Sequence, residues 1–132
     1  MFLTAGHDPI GDWLIAFMVM TLDWLLRPEA LCVGRLAIAE GDKFPALQHV
    51  FSETAAGPVH EVLASRLRHW SEERVLACDD PARDAVLLMD MAVAGMVSRT
   101  LYRLATYSGD YRRRQVVSAT DVFLRGRPST GR

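Results

Sequence analysis

The stretch DPARDAVLLMDMAVAGMVSRTLYRLATY, Asp80–Tyr107, decides the fold. Asp80 followed by Pro81 is a helix start. A carboxylate can cap free backbone N–H groups, and proline loses nothing in a first turn whose N–H groups have no partner. From there Ala85, Met89, Ala92, Met96 and Thr100 fall on one strip, with Val86, Val93, Val97, Leu101 and Leu104 beside it. Apolar residues recurring every three or four positions are the signature of a helix with a buried face. The spacing predicts one long helix from Pro81 to about Tyr107.

Helical signals continue in both directions. After Ser108-Gly109-Asp110 a last helix is expected to about Leu124, with Val116, Val117, Thr120, Phe123 and Leu124 on its apolar face. Gly126–Arg132 reads as a loose tail. Upstream, Pro58 to about Arg74 is amphipathic. Val59, Val62, Leu63, Leu67 and Trp70 form its inner stripe, while Glu61, Arg68, Glu72 and Glu73 look outward. Phe44-Pro45 opens a short helix with Leu47, Val50, Phe51 and Thr54 on one face. Arg27-Pro28 opens another, to about Glu40, with Gly41 suited to a left-handed C-cap. The first helix, about Ile10 to Leu26, is capped by Asp8-Pro9 and is apolar nearly all round, which predicts burial on several sides. No sustained alternation marks a strand. The chain reads as a single all-α domain over residues 1–132, a bundle of about six helices.

Composition fits that reading. Of 132 residues, 50% are apolar, enough for a core with part left to be covered by a partner or wrapped round a ligand. The net charge of −1 gives no basic excess to draw the chain onto phosphates, so no direct nucleic-acid contact is expected. Cys32 and Cys78 lie far apart with no metal-type spacing and read as reduced thiols of a cytoplasmic protein. The apolar run Trp13–Leu26 contains Asp23 and is shorter than the ~20 residues a bilayer needs, so no membrane span is expected. P-loop, G-x-S-x-G, H-E-x-x-H and C-x-x-C motifs are missing. The reading is of a protein that is not an enzyme and holds neither cofactor nor metal.

The last two helices also suggest a partner. Ala92, Ala94, Gly95 and Ser98 are small enough for close helix approach, and the final helix offers a narrow Val/Phe/Leu strip. Such a pair suits a four-helix seam with its own copy. The expected seam is Ala92, Gly95, Val116, Val117, Thr120, Phe123 and Leu124.

The order of these pieces resembles the C-terminal domain of tetracycline-repressor (TetR) regulators. Arg35-Leu36-Ala37-Ile38-Ala39-Glu40, then Lys43-Phe44-Pro45-Ala46-Leu47, is similar to an R-L-x-I-A-E…F-P-x-L segment of one subgroup. Phe51, Gly57-Pro58, Val62-Leu63 and Leu67 continue in register. Asp79-Asp80-Pro81 with Leu88, Met91 and Gly95 resembles the start of the penultimate helix. Asp121-Val122-Phe123-Leu124-Arg125-Gly126 resembles the closing V-D-x-F-L-x-G with its first two residues exchanged. Around Glu73-Arg74, where many relatives carry an Arg-Gly turn, the sequence departs from the pattern.

The resemblance implies an effector-binding and homodimerisation domain in which ligand changes the spacing of two DNA-reading heads. Met1–Pro9 is too short for a helix-turn-helix, so this chain alone is not expected to bind an operator. The alternative is an interaction domain that pairs with a full-length regulator. A small apolar or aromatic effector is expected among Trp13, Phe17, Met20, Trp24, Phe51, His60, Met89 and Met96, since such sites are apolar with a few polar groups. His49 is a further polar candidate. Asp23 stands either at a solvent edge or in the pocket.

Overall fold

Helix α1, Pro9–Leu25, begins where the sequence places it. Asp8 Oδ1 accepts the Gly11 N–H at 3.1 Å, and Pro9 occupies the first turn. Arg27-Pro28 then ends one rod and starts another, α2, Pro28–Glu40. Proline disfavours helical geometry in the residue before it, and the chain turns by 69° between the two helices. The computed structural model describes residues 8–51, 53 and 57–128 of the chain. Beyond α2 lie α3, Pro45–Phe51, and α4, Gly57–Glu72. Then come α5, Pro81–Met89, a π-helical turn, Asp90–Ala94, and α6, Gly95–Leu101. The last helix is α7, Gly109–Gly126. Since α5, the π turn and α6 run on as one rod, the architecture is a six-rod all-α bundle, with no strand among the described residues. No single helix there is long and apolar enough to cross a membrane.

The core lies between four of the rods. Leu14, Met18 and Leu22 of α1 meet Leu63, Leu67 and Trp70 of α4, Leu88 and Met96 of the long rod, and Val116 and Phe123 of α7. Helix α1 packs mainly on α7, and α4 on α5. Helices α2 and α3 pair with each other at the side. Arg35 fastens this outlying pair to the bundle. Its Nε and Nη2 donate to the carbonyls of Leu101 and Thr100, both at 3.0 Å. A guanidinium there adds donors to carbonyls at the negative end of α6. Gly34 lets α2 come close at the same place, where a Cβ would meet Leu101 Cδ2 at 2.9 Å.

Four expectations need correction. The long rod stops at Leu101, short of Tyr107. Arg103 takes a left-handed φ of 59°, and the Leu104 N–H returns to the Arg99 carbonyl at 2.8 Å. This is a Schellman ending, and without a glycine to mark it the apolar strip reads on in the sequence through Leu104, which is exposed. Helix α4 ends the same way: Arg74 has φ 63° and the Val75 N–H reaches the Trp70 carbonyl at 3.0 Å. Arg74 thus adopts the left-handed conformation that glycine takes most readily. Gly41 is right-handed, with φ −60°, so its lack of a side chain serves space. A Cβ there would meet the Ala37 carbonyl oxygen at 2.7 Å and the Gln48 side chain. Helix α1 is not covered on all sides: Met20 is 63% exposed and Trp24 46%. Finally, the chain after Gly126 is not loose at Arg127. Its guanidinium holds Asp84 through Nε to Oδ2 at 2.8 Å and Nη2 to Oδ1 at 3.0 Å.

Candidate functional site

The long rod changes from α to π geometry at Asp90–Ala94, and a cleft opens beside that turn. In a uniform α-helix a row of residues four apart drifts by about 40° per step around the axis. The wider π turn, closed by i→i+5 bonds, offsets part of that drift. Two rows, Met89-Val93-Val97-Leu101 and Asp90-Ala94-Ser98, therefore stay together on one side and line the cleft. Val59 and His60 from the first turn of α4, and Leu25 from the end of α1, complete it. Its volume is about 220 Å³. A dry engineered cavity of ~150 Å³ holds a benzene ring, so this space suits a single ring with a short substituent.

The lining is apolar except for His60, Asp90 and Ser98. None of these three side chains makes a hydrogen bond or ion pair among the described residues, so their polar atoms are free to meet a ligand. Two wider depressions, of about 550 and 520 Å³, are open surface. One is framed by Trp13, Arg66 and His69. The other lies between the long rod and α7, at Leu87, Met91 and Val122. The smaller cleft has walls from three helices and is the better container.

The structure brings His60 and Met89 together at this cleft. Trp13 and Phe17 stack on each other instead, with ring centres 5.0 Å apart, and Trp13 meets Trp70 edge-on at 5.6 Å. Arg66 lies over both tryptophans. Met96 is in the core, and Met20 and Trp24 face outward. Thr54 and the side chains of Val50 and Phe51 lie outside the described residues. His49 is exposed and pairs with Glu53 at 2.9 Å. Asp23 stands at a solvent edge, 3.4 Å from Arg112 in the first turn of α7. The eight remaining lining residues read in the sequence as helix packing or not at all. The signal for them is Asp90 and Ser98, two polar residues bordering an apolar i, i+4 row.

The seven seam residues divide. Ala92, Val116, Thr120 and Phe123 are buried in the protomer's own core, and Gly95, Val117 and Leu124 are half-buried. The outward side of the same two helices carries Leu87, Met91 and Val122, the last 59% exposed. The strongest apolar stripe of an amphipathic helix marks the face turned to its own core, so pattern alone selects the inner side.

Architecture and comparison converge on a class. The bundle superposes on the crystal structure of a candidate TetR-family transcriptional regulator from Mesorhizobium loti, with a TM-score of 0.84 and 19% identity. The match covers 92% of this chain and 61% of that one, so the chain spans less than two thirds of its structural relative. Residues 12–126 match the family model of the AefR-like transcriptional repressor C-terminal domain, and the chain belongs to that TetR family. A comparison with curated proteins finds no match.

Proposed function

We propose that this chain is the effector-binding and homodimerisation module of a TetR-type transcriptional regulator, working in the cytoplasm, and that the cleft beside the π turn is its effector site. One observation carries the reading: the cleft and the exposed apolar groove lie on two sides of the same rod, and Asp90 borders both. A ligand packed against Val93 and Val97 bears directly on the helix whose other side presents Leu87 and Met91. Binding can shift a helix arrangement only by as much as the ligand prefers one state over the other. A π turn, with its weaker hydrogen-bond geometry, is a suitable place for two arrangements to differ little in energy.

Toluene is a suitable neutral probe, since it is a single ring with one methyl group. Hydrogen–deuterium exchange with millimolar toluene is expected to slow at residues 59–60 and 89–98, and to leave α3 unchanged. Equal exchange with and without toluene across 89–98 would remove the cleft from the account.

A further inference from the structure

The charge around the cleft is one-sided. Among the described residues no lysine or arginine lines it, and Asp90 carries its one permanent charge. Two arginines lie near the Leu101 end of the cleft and both are engaged elsewhere. Arg35 is spent on the Thr100 and Leu101 carbonyls. Arg99 donates from Nε to the Tyr107 hydroxyl and lies over that ring at 5.7 Å. An anionic ligand would meet a carboxylate with no guanidinium or ammonium to offset it. An ammonium would find an unpaired carboxylate at the rim of an apolar wall, with the Ser98 hydroxyl and the His60 ring free to accept further hydrogen bonds.

Resting on the effector-site reading above, we propose that the cleft takes a small apolar amine: a single ring or branched hydrocarbon of about benzyl size that sits between Val59, Val93 and Val97 and donates its ammonium to Asp90. Volume sets the body of the ligand and charge sets its head. The sequence led to a small apolar or aromatic effector but to no charged head for it.

The experiment titrates four probes of similar size: benzylamine, benzyl alcohol, toluene and benzoate. Amide shifts of residues 59–60 and 93–98 are followed by NMR at about pH 8. Benzylamine is expected to bind roughly three- to tenfold more tightly than toluene, the scale of a charge-assisted hydrogen bond at a partly solvated rim. Benzoate is expected to bind most weakly. Asp90→Asn is expected to bring benzylamine down to the level of benzyl alcohol while leaving toluene unchanged, and added salt to weaken only the amine. If toluene or benzyl alcohol binds as well as benzylamine, or benzoate binds best, the amine assignment is overturned while the effector cleft stands. If none of the four shifts these amides, both fall.

Discussion

At the scale of single residues, Asp84 shows how a buried charge is held. It is buried in the first turn of α5 and held by two hydrogen bonds from Arg127. Those bonds keep its carboxyl below the ordinary value near 3.8, against the upward pull of burial. Beside it, burial and then a hydrogen bond to Asp84 push the Cys78 thiol up to about 12, so this cysteine stays neutral and unreactive. The folded carboxyl binds its proton less tightly than the unfolded one. The ion pair therefore contributes fully above the unfolded value, and its contribution is lost as pH falls through the folded value. Arg127→Ala is expected to cost about 2 kcal/mol at neutral pH, below the full figure for a buried pair because the guanidinium is partly exposed. Urea unfolding at pH 7 and near pH 3 checks this. The gap between the two proteins should narrow in acid, and a gap independent of pH would show that the ion pair is not its source. Arg127 reads in the sequence as tail, because a contact between residues so far apart leaves no local pattern.

At the scale of elements, helix starts and most helix ends were legible, and the end of the long rod was not. Asp8-Pro9, Asp80-Pro81 and Ser108 each announce a start by chemistry that acts within three residues, and each cap forms: Asp80 accepts the Arg83 N–H and Ser108 the Tyr111 N–H. The ends of α4 and α6 rest on arginines in left-handed geometry, where local preference opposes the fold and tertiary packing wins. A non-glycine residue in that region carries a cost of ~1–2 kcal/mol. Arg103→Gly is therefore expected to stabilise the protein by about 0.5–1 kcal/mol, after the greater freedom of glycine in the unfolded chain is deducted. Thermal unfolding checks the sign, and a lower midpoint would mean that the Arg103 side chain holds the turn by contacts of its own. The π turn was equally hidden, since the same apolar row fits an unbroken α-helix. The cleft beside it was consequently legible only at His60 and Met89.

At the scale of the whole molecule, the fold class was legible because six apolar periodicities separated by prolines and glycines admit little but a helical bundle. The family followed from the order of its short motifs. A seam with a second copy is harder to read, because an amphipathic stripe does not say which of two burials, in its own core or against a copy, has claimed it. The exposed row Leu87, Met91 and Val122 faces away from the core, and a second copy laid across it would bury apolar surface on both sides of a two-fold axis. Sedimentation equilibrium of the 14.7 kDa chain, beside its Val122→Asp variant, tests the regulatory-module account most directly. The account predicts twice the chain mass for the native protein and the single mass for the variant, with helical content unchanged. A native chain that stays at its single mass at every concentration would contradict it.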